Sequence, residues 1–194
     1  MNELSKWWVV TDLDGTLLDE EYNLDPAKEM LDFLKSNEVP IIACTSKTAS
    51  EVKKFRKEVD IQDPYIVENG GAIYGQYDSS EKEWEVVLGK SYNYLRKKLD
   101  LISEEIGYQL KALNDLSREE IFALTGLSEK GIELALKREW SVPFLNPPES
   151  DLQLINDVAL KLDTAIYQGN RMSHLLGGGT HKGKAVTYLK KLFI

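Results

Sequence analysis

Trp7-Trp8-Val9-Val10-Thr11 is a short apolar run that stops abruptly at Asp12-Leu13-Asp14-Gly15-Thr16. Its length and β-branched content predict a buried strand rather than a helix. In an extended segment residues i and i+2 point the same way, so Asp12 and Asp14 leave the strand's carboxyl end together. That edge is where open α/β sheets bind ligands, and Gly15 lets the chain turn there. Two neighbouring carboxylates can bind Mg²⁺, or divide nucleophile and acid/base roles between them. A solvated acidic turn is the blander reading of the same residues. A calcium loop is a third, and a weak one. It needs oxygen ligands where Thr16, Leu18, Glu20 and Asn23 stand, it lacks a bidentate Glu, and a strand rather than a helix precedes it.

The rest of the chain supports an α/β architecture. Asp25-Pro26 supplies an N-cap and a first-turn proline for a helix whose stripe is Ala27, Met30, Leu31 and Leu34. Residues 39–44 read as a second buried strand. Thr48 and Glu51 form a capping box for a helix carrying Val52, Phe55 and Val59, and Tyr65-Ile66-Val67 is a third strand. Strand, helix, strand, helix, strand is the order of a parallel sheet with right-handed crossovers.

After Gly70-Gly71 the rhythm changes. Residues 72–74 and 84–88 read as strands around a polar loop, 76–82. Leu95, Leu99, Ile102 and Ile106 mark an amphipathic helix, and Ser117 with Glu120 and then Ser128 cap two more. Residues 139–145 read as a strand. A helix follows Pro147-Pro148, and Gly169-Asn170 reads as a hairpin turn between 164–168 and 172–176. Residues 76–173 therefore form an expected inserted α+β domain, leaving 1–75 and 174–194 for the core. A helix over 182–193 closes the chain.

The net charge of −8 argues against nucleic-acid or anionic-membrane partners and requires local cations wherever an anion is bound. A single cysteine, Cys44, excludes an intrachain disulfide. The first residues, 1–6, are polar, and no apolar run approaches the ~20 residues of a membrane span, so a cytoplasmic protein is expected.

Three further motifs carry chemistry. Cys44-Thr45-Ser46-Lys47-Thr48 puts hydroxyls at a strand end beside a helix N-terminus, a natural phosphate cradle, though turn and capping duties would also explain them. Glu68-Asn69-Gly70-Gly71-Ala72 is at minimum a glycine turn. Lys182-Gly183-Lys184 opens the last helix with cations that oppose its macrodipole, a conflict that a bound phosphate would relieve. A solvated basic end is the alternative.

Val9-Val10-Thr11-Asp12-Leu13-Asp14-Gly15-Thr16-Leu17-Leu18 closely resembles the first motif of the haloacid dehalogenase superfamily. The resemblance implies a Rossmann-like core with a cap of the second (IIB) type, which the Glu-Asn-Gly turn also resembles. It implies Asp12 as the nucleophile, Asp14 as the acid/base, and Mg²⁺ held by Asp12 and Asp14. It further implies Thr45, with Ser46, as phosphate-binding hydroxyls and Lys182 as the phosphate clamp.

Residues 137–144 and 171–178 resemble the lid of the mannosyl-3-phosphoglycerate phosphatases. That implies Arg138, Ser141, Arg171 and His174 as substrate-binding residues, the two arginines suiting a carboxylate. From the residues alone, Arg138 is equally a helix-end charge and His174 a satisfied strand histidine. Val142 and His181 stand where that group usually has acidic residues, which leaves glucosyl- as open as mannosyl-3-phosphoglycerate.

The superfamily's fourth motif, a Gly-Asp strand after the last helix, is expected but not reached by Ile194. That predicts weak intrinsic phosphatase activity and an exposed first-strand edge through which the chain would form a homodimer. A sugar phosphomutase and a non-catalytic phosphosugar-binding module are the competing functions.

Overall fold

The computed structural model describes residues 7–19, 21–77 and 82–192. Glu20, part of the polar loop (78–81), the polar start (1–6) and the last two residues, including the expected helix end at Phe193, lie outside the described residues.

Two compact units emerge, 1–87 with 182–194, and 88–181. Both breaks fall later in the sequence than the 76 and 173 expected. In the first unit, β1 (Val9–Thr11) pairs in parallel with β2 (Ile41–Ala43), Val9 opposite Ile41. β3 (Tyr65–Val67) continues the parallel set, because Cys44 bridges to Ile66 and Thr45 N donates to Ile66 O at 3.0 Å. β4 (Ala72–Gln76) and β5 (Glu83–Val87) then add antiparallel strands.

β2 and β3 are buried throughout, as their unbroken apolar runs require. β1 departs from expectation. Val10 is 39% exposed and Trp7 69%, because among the described residues β1 has one pairing neighbour and lies at the sheet edge.

α1 (Asp25–Ser36) also corrects the expected cap. Leu24 occupies the N-cap position without a side-chain bond, and Asn23 Oδ1 accepts the Asp25 N–H at 3.1 Å instead. In its stripe Leu31 is buried while Met30 is 58% exposed. α2 (Ala49–Val59) has the expected capping box, burying Val52, Phe55 and Val59 against the sheet. α7 (Lys182–Leu192) returns to this unit through Ala185 and Leu189.

The second unit has its own core. β6 (Val142–Leu145), β8 (Met172–Gly177) and β7 (Thr164–Gln168) form an antiparallel sheet in that order, β7 and β8 being joined by the expected hairpin. β6 starts later than expected, at Val142. Leu95, Leu99 and Ile102 of α3 (Tyr92–Ile106) pack with Phe144, Leu175 and Ile155, the last from α6 (Leu152–Lys161). α4 (Arg118–Thr125) and α5 (Glu129–Ala135) begin at the Ser117 and Ser128 caps. Among the described residues no helix is long and apolar enough to cross a membrane.

Candidate active site

The loop after β1 is built to present two carboxylates. Gly15 has φ +69°, a conformation open to glycine, and Thr16 N and Leu18 N both return to Leu13 O, at 3.3 and 2.8 Å. Leu13 is fully buried and anchors the turn from below. Asp12 and Asp14 flank it and remain partly exposed, at 40% and 44% of their side chains.

Each carboxylate meets one lysine. Lys182 Nζ lies 2.6 Å from Asp12 Oδ2, while Asp12 Oδ1 accepts the Leu13 N–H at 2.8 Å. Lys47 Nζ lies 2.9 Å from Asp14 Oδ1. The cations that an acidic chain requires at an anion site are therefore both here, each at or just before a helix start.

Lys47 was not among the residues singled out from sequence. A signal existed: it stands immediately before the Thr48 N-cap, where a cation opposes the helix dipole as Lys182 does. The loop holding it is tightly tied. Lys47 N donates to Thr45 Oγ1 at 3.2 Å, Glu68 N donates to Lys47 O at 3.0 Å, and Asn69 N donates to Thr45 O at 2.9 Å. Glu68 and Asn69 have φ of 47° and 58°, so the Glu-Asn-Gly turn is a left-handed bend that clasps the β2 loop. Thr45 is fully buried within this knot, and Ser46 beside it is half-buried.

Cys44, the residue before Thr45, is buried. Burial pushes its thiol up to about 11, with Lys182 pulling it down and Asp12 raising it further. It is a packed neutral thiol at neutral pH, not a nucleophile.

Among the described residues no group of three or more His, Cys, Asp or Glu side chains is placed to hold a metal ion. Mg²⁺ is commonly held by one or two carboxylates together with water and phosphate oxygens. Asp12 and Asp14 supply the hard oxygen donors.

The residues expected to bind substrate lie in the second unit. Arg138 Nε donates to Ala135 O at 3.0 Å, closing α5 as a helix-end charge would. Arg171 Nη1 donates to Thr125 O at 2.7 Å, tying the hairpin to the end of α4. Ser141 is fully buried, and His174 stands in β8 between Pro143 and Tyr167 on the neighbouring strands.

Residues 9–105 match the haloacid dehalogenase-like hydrolase family. The chain belongs to that family. It is 35% identical to a glucosyl-3-phosphoglycerate/mannosyl-3-phosphoglycerate phosphatase of Persephonella marina, over 95% of this chain and 72% of that protein. A protein of the same name from Methanococcoides burtonii is 34% identical with the same coverage of both. Among solved structures, a haloacid dehalogenase-like hydrolase from Bacteroides thetaiotaomicron shares the fold, with a TM-score of 0.67 at 13% identity over 96% of this chain and 77% of that one. So does a sugar phosphatase of haloacid dehalogenase subclass IIB, with a TM-score of 0.66 at 13% identity over 96% and 76%.

Proposed function

We propose that this hydrolase is a Mg²⁺-dependent phosphatase acting on a glycosyl-3-phosphoglycerate, glucosyl or mannosyl, through an aspartyl-phosphate on Asp12. The observation that carries this is the pair of carboxylates at the end of β1, each matched to its own lysine. The curated relatives, both named for that substrate pair, support the substrate class.

In this reading an Asp12 oxygen attacks phosphorus and the bond from phosphorus to the glycerate oxygen breaks. Asp14 delivers a proton to the departing oxygen, then takes one from the water that attacks the aspartyl-phosphate and releases inorganic phosphate. Lys182 exchanges its ion pair with Asp12 for the phosphate oxygens and neutralises charge there. Thr45 and Ser46, beside the N-terminus of α2, hold the remaining oxygens. Bound to the Asp12 carboxylate and the Asp14 main-chain carbonyl, Mg²⁺ would supply charge neutralisation on the transferring phosphoryl group.

The second unit, read as the cap, supplies Arg138, Ser141, Arg171 and His174 as substrate-binding residues. The guanidiniums suit the glycerate carboxylate.

The test is phosphate release from glucosyl- and mannosyl-3-phosphoglycerate by the wild type and Asp12→Asn. The wild type releases phosphate and the variant is slower by about 10³-fold or more while still binding substrate. Equal turnover by the variant would remove Asp12 as the nucleophile.

A further inference from the structure

Asp14 is 44% exposed on a short loop, and an exposed aspartate ordinarily samples several rotamers. An acid/base group has to meet the departing oxygen in one geometry, and a small misplacement costs rate. Something must therefore hold it. The one described cation on it is Lys47, whose Nζ is 2.9 Å from Asp14 Oδ1 and whose side chain is only 11% exposed.

Lys47 is itself fixed from three sides. Glu51 Oε1 stands 3.7 Å from its ammonium, while Glu51 Oε2 is engaged in the α2 capping box with the Thr48 N–H and hydroxyl. The Tyr22 ring covers the ammonium, 4.9 Å from ring centroid to Nζ. Tyr22 adopts φ +62°, a rare conformation for a bulky residue. The bend around it is imposed by Asp19, whose Oδ1 accepts the Glu21 and Asn23 N–H groups at 2.9 and 2.8 Å. The Lys47 backbone is held by Thr45 and Glu68, as described above. Such scaffolding exceeds what a surface ion pair needs, and a surface pair would contribute little to stability.

We infer that Lys47 is the positioning residue of Asp14: clamped between Glu51 and Tyr22, its ammonium fixes the carboxylate that serves the leaving oxygen. The inference rests on the assignment of Asp14 as the acid/base. It differs from a second phosphate clamp, because a clamp would act on every phosphate ester alike. A residue working through Asp14 matters only where the leaving group needs a proton.

The experiment compares kcat/KM, which ends at departure of the leaving group, for alkyl phosphates that the enzyme hydrolyses and for p-nitrophenyl phosphate, whose phenolate departs unaided. Wild type, Lys47→Met, Lys47→Arg, Asp14→Asn and the Lys47→Met/Asp14→Asn double variant are assayed with Mg²⁺ present. Lys47→Met slows alkyl esters by about 10- to 100-fold and the nitrophenyl ester by less than about threefold. Lys47→Arg recovers most of the loss, and the double variant is no slower than Asp14→Asn alone. Equal slowing of both ester classes by Lys47→Met, with Asp14→Asn selective for alkyl esters, overturns the role of Lys47 only. Equal slowing of both classes by Asp14→Asn removes the acid/base assignment and the inference with it.

Discussion

Lys182 Nζ and Asp12 Oδ2 meet at 2.6 Å across 170 residues of chain. The contact joins the first residue of α7 to the loop after β1, so the last helix of the first unit completes a site begun by its first strand. Both side chains are more than a third exposed, and an exposed ion pair contributes little to folding. In the proposed mechanism its value is chemical, since Lys182 turns from Asp12 to the phosphate oxygens.

Replacing Lys182 by Met should therefore separate activity from stability. Turnover falls by about 10²- to 10³-fold, the scale of losing one preorganised charge-stabilising donor. Stability measured by urea unfolding stays within about 1 kcal/mol of the wild type.

Thr48 should behave in the opposite sense. It is fully buried, its hydroxyl accepts the Glu51 N–H at 3.1 Å and donates to Glu51 Oε2 at 2.9 Å. Thr48→Ala removes the cap of α2 and lowers unfolding free energy by about 1 kcal/mol, within a range of about 0.5–2. Thr48→Ser restores most of it, because the capping oxygen is kept. Chemical denaturation of the three proteins reads the difference.

Cys44 gives a pH signature. Burial raises its folded-state pKa to about 11 from an ordinary value of 9.0. Between those two values the unfolded chain releases the thiol proton and the folded chain retains it, so the unfolded state is favoured progressively. The stabilisation is complete below pH 9.0, is lost as pH rises towards about 11, and amounts to about 2–3 kcal/mol in all. Cys44→Ala should lose less stability than the wild type between pH 8 and pH 10.5, roughly the flanks of that window, in parallel urea titrations. Identical losses would show that the thiol is not held in this environment.

Phe144 tests the independence of the second core. It is fully buried among Leu95, Leu99, Ile102 and Leu175. Phe144→Ala should cost about 3–5 kcal/mol through lost contacts and a cavity. Hydrogen exchange should show protection lost across β6, β7 and β8 while the amides of β2 and β3 keep theirs.

Features governed by neighbours along the chain can be read directly from the order of residues. The strand ending in Asp12 and Asp14, the Thr48–Glu51 and Ser117–Glu120 capping boxes and the Gly169-Asn170 hairpin all follow from spacings of a few residues. At that range backbone geometry alone decides which groups can meet. The same rules missed where tertiary packing competes. Asn23 rather than Asp25 satisfies the start of α1, and Val10 is exposed because its strand lies at a sheet edge.

The pairing of cations with carboxylates belongs to the tertiary structure. The resemblance pointed to Lys182 as a phosphate ligand, but only the fold sets it against Asp12. Nothing in the order of residues set Lys47 against Asp14. That contact depends on β1 and β2 lying side by side in parallel, so that the loops at their carboxyl ends face one another. Local propensity fixes each strand and each cap, while which charges become neighbours is settled when the strands pair.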